Sequence, residues 1–291
     1  MSRMHPLPFK CSAVISDVDG TLVTDDKMLT KRAEAAVTRL RANGIIFSII
    51  SSRPPRGLGT LFRTLGITTP FGAFNGGVLA TPDLAVIAEH LLSPEVARRA
   101  VDMLNACGAE VWIFSGQDWL VRRSNGPYAA LEERTVAFPP TLVEGFGPAL
   151  DTAAKIVGVS ADFDLLAQCE RDMRAALVDR ATVARSQPYY LDITHPLANK
   201  GVALLEIAKL LGTPLAEIAT IGDGGNDVAM FERSGLSIAM GNASPQVQHA
   251  ADFVTDSNSE DGFANAIERF ILGGGHSHAR LAAANARGRE W

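Results

Sequence analysis

A chain of 291 residues with 47% apolar side chains is long enough for one large or two ordinary domains around a sizeable core. Its 27 basic and 32 acidic residues give a formal net charge of -5, which offers no electrostatic reason to bind nucleic acid or an anionic membrane. Three widely spaced cysteines, Cys11, Cys107 and Cys169, make neither a metal-binding spacing nor a disulfide framework, as in a reducing compartment.

The opening MSRMHPLPFK has prolines where a signal peptide needs its apolar stretch, and no run approaches the ~20 residues of a membrane span, so a cytoplasmic location is expected. Residues 12–16, SAVIS, read as a short buried strand that ends at Asp17. Thr30 can cap a helix through Glu34, Val37 and Leu40, with Gly44 as its stop. IIFSII (45–50) reads as a strand buried on both faces, the habit of parallel strands. Pro54 and Pro55 open a helix to about Gly66, and FGAFNGG (71–77) is a strand running into a glycine turn. Alternating strand and helix predicts a doubly wound parallel sheet, a Rossmann-like α/β core.

Residues 83–189 have a different texture. VWIFS (111–115) and WLVRR (119–123) flank a Gly-Gln-Asp turn and predict a hairpin; KIVGVS (155–160) is a strand, Asp164 to Leu177 a helix, and YYLDI (189–193) a strand leading back. The α/β alternation then resumes. A helix runs from Asn199 to Leu211, IATIG (218–222) is a strand, Asn226 to Arg233 a helix and LSIAM (236–240) a strand. Pro245 to Ala250 is a short helix, DFVT (252–255) a strand, and Asp261 to Leu272 a last helix. The expected organisation is a core in two parts, 1–82 and 190–275, an inserted α+β cap domain over 83–189, and a mobile tail over 276–291.

Ligands of doubly wound sheets bind outside the carboxyl ends of the strands. That edge collects Asp17 and Asp19 from ISDVDGTL (15–22), Ser51, Ser52 and Arg53 after the second strand, and Asp223, Asn226 and Asp227 from IGDGGNDVAM (221–230). Lys200 opens a helix just after the insert. Carboxylates gathered there repel one another unless a cation intervenes, and oxygen ligands without histidine or cysteine point to a hard ion, magnesium first.

In motif order and spacing these residues resemble the haloacid dehalogenase superfamily: DxDGT after a first strand, a serine after a second, a lysine at a helix start and GDGxND late in the chain. The large insert resembles that of the superfamily's Cof-type phosphatases. The resemblance implies a magnesium-dependent phosphatase of small phosphorylated metabolites, such as sugar phosphates. In it Asp17 would be the nucleophile that forms an aspartyl-phosphate, and Asp19 the acid and base. Magnesium would be held by the Asp17 carboxylate, the Asp19 backbone carbonyl and Asp223, with Asp227 in support. Ser51, the Ser52 amide, Lys200 and Asn226 would hold phosphoryl oxygens. Asn75 and Gly76 would form a substrate-facing hinge. Where the superfamily usually has Ser/Thr-Gly-Arg, this chain has Ser51-Ser52-Arg53, so a serine side chain takes up space beside the phosphate.

A phosphomutase or a dedicated sugar-phosphate phosphatase shares these motifs, and a metabolite sensor could use the same pocket; oligomeric state and physiological substrate are left open. Plainer readings accompany several residues. Trp112 and Trp119 suit a cap core, Arg53 a loop brace, Arg122 and Arg123 a solvated strand edge, and His195 a loop. His276 and His278 are too sparse for a metal site.

Overall fold

The computed structural model describes residues 9–273. The readings made for residues 1–8 and for the 276–291 tail lie outside the described residues. The strands in chain order are β1 (Ala13–Ser16), β2 (Ile46–Ile49), β3 (Phe71–Ala73), β4 (Val78–Ala80), β5 (Val86–Glu89), β6 (Glu110–Ser115) and β7 (Asp118–Val121). They continue as β8 (Thr141–Leu142), β9 (Ala153–Val159), β10 (Thr182–Gln187), β11 (Tyr190–Thr194), β12 (Ile218–Gly222), β13 (Leu236–Ala239) and β14 (Phe253–Val254). The helices are α1 (Lys31–Ala42), α2 (Gly59–Leu65), α3 (Pro94–Cys107), α4 (Ala129–Val136), α5 (Phe163–Ala176), α6 (Lys200–Leu211), α7 (Val228–Phe231), α8 (Pro245–Ala250) and α9 (Gly262–Ala266).

The chain packs as two units. Of the described residues, one takes in 9–51, Leu61–Phe71 and 200–273; the other takes in Ser52–Thr60 and Gly72–Asn199. The first unit holds a five-stranded sheet in the order β14-β13-β12-β1-β2, with every pairing parallel. Apolar β1, fully buried at Ala13, Val14 and Ile15, lies between β12 and β2. Ser16 is level with Ile221 on one side and Ile49 on the other. The sheet therefore reverses its winding at β1, and the loops leaving β1, β2 and β12 share one edge.

Helix α1 begins where the sequence predicts. The Thr30 hydroxyl accepts from the Ala33 amide at 3.1 Å and donates to Asp261 at 2.7 Å, which ties the helix start to the turn before α9. Its buried face, Val37 and Leu40 included, covers the sheet, and Phe47 meets Phe263 edge-on at 5.9 Å. Each such side chain contributes roughly 1.5–3 kcal/mol on burial. The last predicted helix changes character midway, from α9 to a π-helical stretch over Ile267–Leu272.

β3 does not extend the parallel sheet; it starts a separate sheet in the order β3-β4-β5. Phe74, Asn75 and Gly76 all have left-handed backbone (φ 49°, 59° and 96°), and this tight turn sends the chain back as β4.

The second unit carries a six-stranded sheet in the order β10-β11-β9-β6-β7-β8. The predicted hairpin forms, with Phe114 opposite Trp119. One sheet face is covered by α3 and α5 around Val101, Leu104, Ile113, Ile156, Leu166 and Met173. Helix α3 carries no element in the sequence reading, although its signals are local: Ser93 caps it, Pro94 is its first residue and left-handed Gly108 ends it. Strand β11, assigned from sequence to the returning core, pairs with β9 and β10, so this unit runs past the predicted boundary to Asn199. Trp112 and Trp119 are fully buried beside each other, as core residues are, and Arg122 and Arg123 are exposed. Among the described residues no helix is long and apolar enough to cross a membrane.

Candidate active site

Asp17 follows β1 directly. Its amide donates to the Ile221 carbonyl at 2.9 Å, so the ladder to β12 continues one residue past the strand and fixes where the carboxylate starts. Ile50 does the same on the other side, donating to Ser16 O at 3.0 Å, so fully buried Ser51 follows it at the same edge. Asp17 itself is only 6% exposed.

Lys200, the first residue of α6, is completely buried. Its ammonium donates to Asp17 Oδ1 and to Asp227 Oδ1, both at 2.6 Å. A lysine at a helix N-terminus faces the positive end of the helix dipole, and only close carboxylates make the placement stable. The Asp227 Oδ2 atom accepts from the amides of Asp223 and Gly224 at 2.9 and 2.8 Å, which makes the GDGGND loop a closed turn behind Lys200. Asp223 is held by the Thr21 hydroxyl at 3.0 Å and by Asn242 at 3.4 Å. Two glycines are required here. Gly20 has φ +78°, and a Cβ on it would come within 2.3 Å of Asp223 Oδ2. A Cβ on Gly222 would come within 2.4 Å of Asp227 Cγ.

One oxygen each from Asp17, Asp223 and Asp227 lie within 4.8 Å of one another. Burial pushes the Asp17 carboxyl well above the ordinary carboxylate range; Lys200 pulls it down, and Asp227 and Asp223 push it further up. Burial and Asp227 likewise raise Asp223. Burial alone would lower the pKa of Lys200, but Asp17 and Asp227 reverse that and hold it firmly protonated. Three carboxylates thus face one ammonium in a buried place. Clustered oxygen donors with this surplus of negative charge fit a hard divalent cation, which would discharge them.

Asp19 stands outside that trio. Its carboxylate is 22% exposed and pairs with Lys27 at 2.9 Å. Asn226 is exposed in the turn at Gly225–Asp227. Ser52, Arg53, Asn75 and Gly76 belong to the other unit. Within it, Arg53 is 8% exposed and its backbone carbonyl accepts from the Phe74 amide at 3.0 Å. His195 receives the Leu197 amide at 3.1 Å in its loop and stacks with His90. Sequence reasoning missed Lys27, Asn242 and the role of Thr21. Thr21 lies inside the DGT motif and was there to be found; Lys27 and Asn242 sit in segments whose loop conformation decides everything.

An acidic cluster at the switch point of a parallel α/β sheet, closed by a buried lysine, is the arrangement of one hydrolase class, and the chain belongs to it. It matches the haloacid dehalogenase-like hydrolase family over residues 14–267. It is similar to a solved haloacid dehalogenase-like hydrolase from Bacteroides thetaiotaomicron, with 28% identity, a TM-score of 0.82, and coverage of 89% of this chain and 99% of that one. It is also similar to two 5-amino-6-(5-phospho-D-ribitylamino)uracil phosphatases. That of Escherichia coli is 27% identical over 271 residues, 88% of this chain and 94% of the relative. That of Bacillus subtilis is 27% identical over 267 residues, 88% of this chain and 96% of the relative.

Proposed function

We propose that this protein is a magnesium-dependent phosphatase of small phosphorylated metabolites, working through an aspartyl-phosphate on Asp17. The observation that carries the reading is the buried Asp17–Lys200–Asp227 chain with Asp223 beside it, at the carboxyl edge of parallel strands. Pure binding of phosphate needs no buried carboxylate aimed at it; nucleophilic attack does. The phosphatase names of the relatives support the same reading.

In the first half-reaction an Asp17 oxygen bonds to phosphorus and the bond from phosphorus to the leaving oxygen breaks. Asp19 gives that oxygen its proton. In the second, Asp19 takes a proton from water as the water oxygen attacks phosphorus, and the Asp17–phosphorus bond breaks to release phosphate. Lys200 has three N–H donors; Asp17 and Asp227 accept two, and the third would serve a phosphoryl oxygen. Ser51, the Ser52 amide and Asn226 would hold the others. Asp17, Asp223 and the Asp19 carbonyl would hold magnesium, with Asp227 in support, and the ion supplies the charge that lets an anionic nucleophile approach an anionic phosphate.

The direct test is phosphate release from a panel of sugar phosphates, nucleotides and 5-amino-6-(5-phospho-D-ribitylamino)uracil. Chelation is expected to abolish turnover and magnesium to restore it; full activity in excess EDTA would rule out the cation. Asp19→Asn is expected to lower kcat/KM by about 10²–10⁴-fold for alkyl phosphates, and far less for activated aryl phosphates, whose leaving oxygens need no proton. Equal losses for both would remove Asp19 from the acid role.

A further inference from the structure

The Lys27–Asp19 pair has the geometry of a built contact. Lys27 is in the left-handed region at φ 63°, a conformation that disfavours side-chain-bearing residues. A tight hairpin holds it there. Thr24 donates to the Met28 carbonyl at 3.0 Å, Lys27 to the Thr24 carbonyl at 2.9 Å, and Met28 to the Thr24 hydroxyl at 3.2 Å.

The hairpin is also fastened from behind. Asn258, 4% exposed, donates to the Val23 carbonyl at 3.1 Å and to Asp25 at 3.0 Å. Its own amide donates to Asn242, which in turn donates to the Gly20 carbonyl at 2.9 Å. At the near end, Val18 accepts from Thr21, Leu22 and Val23. The segment from Asp19 to Lys27 is thereby tied to the rest of the fold at Gly20, Val23 and Asp25, and the lysine side chain, 37% exposed, is brought back onto the Asp19 carboxylate. An ordinary exposed ion pair contributes little to stability and has no need of a strained backbone.

We propose that Lys27 is a positioning residue for Asp19: its ammonium donates to Oδ1 and so fixes the carboxyl group in the orientation from which Oδ2, carrying the proton, reaches the leaving oxygen. The inference rests on the reading of Asp19 as acid and base. Proton transfer in the transition state requires the donor within hydrogen-bond reach, and a carboxylate free to rotate spends much of its time elsewhere. The demand is greatest for leaving groups that cannot depart without a proton.

The test is kcat/KM for Lys27→Met and Lys27→Arg across aryl phosphates of graded leaving-group acidity and one alkyl phosphate. kcat/KM reports only the steps up to leaving-group departure, so the second half-reaction does not mask the effect. Lys27→Met is expected to lose on the order of tenfold with the alkyl phosphate and less than about twofold with the most activated aryl phosphate. Lys27→Arg, which keeps the charge, is expected to restore most of that loss. A uniform loss across the series would mean that Lys27 acts only through general attraction of phosphate, and no loss that the pair is incidental; either overturns the proposal. Asp19→Asn in the same series separates the two readings. If it shows no leaving-group dependence, the acid assignment itself falls; if it does while Lys27→Met does not, only the positioning role falls.

Discussion

Asp17→Asn is expected to fold as the wild type does and to lose turnover by about 10⁴-fold or more. The amide is nearly the same shape as the carboxylate, and Lys200 keeps Asp227 as a partner at 2.6 Å, so no buried charge is stranded. What disappears is the negative oxygen that, on the proposed mechanism, attacks phosphorus. Circular dichroism and a thermal melt check the fold, and phosphate release with a well-used substrate checks the chemistry. Acid-quenched protein incubated with labelled substrate adds a second readout: wild type is expected to retain phosphate on the chain and Asp17→Asn none. Turnover above a tenth of wild type would exclude Asp17 as the attacking group.

Lys200→Met is expected to destabilise the protein as well as inactivate it. Lys200 is buried between Asp17 and Asp227, and methionine fills much of the same channel without charge. Two carboxylates would then face each other with no cation between them, and Asp223 close by. Removing one partner from a buried ion pair costs about 3–5 kcal/mol. The loss is read from urea unfolding of the chelated protein at neutral pH. Magnesium should recover more stability in Lys200→Met than in wild type, because removing a positive charge from beside the carboxylates strengthens their hold on a cation. Activity should stay absent, since the proposed donor to the phosphoryl oxygen is gone. A loss of stability below about 1 kcal/mol would show that the carboxylates are satisfied without Lys200.

Most of the acidic edge is legible in the sequence. Asp17 ends an unbroken apolar run, Asp223 ends another, and in a parallel sheet strand ends of this kind share an edge. The same logic placed Ser51, because IIFSII is buried on both faces. Lys200 was legible through the motif order; taken alone it reads as a surface lysine at a poor place for a cation, one that a phosphate would justify, whereas the structure buries it completely between Asp17 and Asp227. The alternation of short apolar strands with capped helices was enough for the class of the core.

Other features depended on contacts between residues far apart in the chain. Helix α3 escaped notice although Ser93, Pro94 and Gly108 mark its ends, since its apolar face is defined only by the sheet it covers. FGAFNGG looks like one more core strand, but three left-handed residues redirect it into a small sheet of its own. YYLDI reads equally well as a strand of either unit; pairing with β9 and β10 decided the matter, and hydrogen-bonding partners are not encoded in a strand's own residues. Lys27 is one of several charged residues in an exposed turn, and its sequence neighbours Asp25 and Asp26 are more obvious partners than Asp19. By itself, then, the sequence determined the periodic elements, the strand-end carboxylates and the family motifs, because these follow from local patterns of burial and turn chemistry. The tertiary structure alone decided which strand pairs with which, that Lys200 is shared between Asp17 and Asp227, and that Lys27 reaches Asp19, because each depends on chain segments brought together by folding and on backbone angles that neighbouring segments impose.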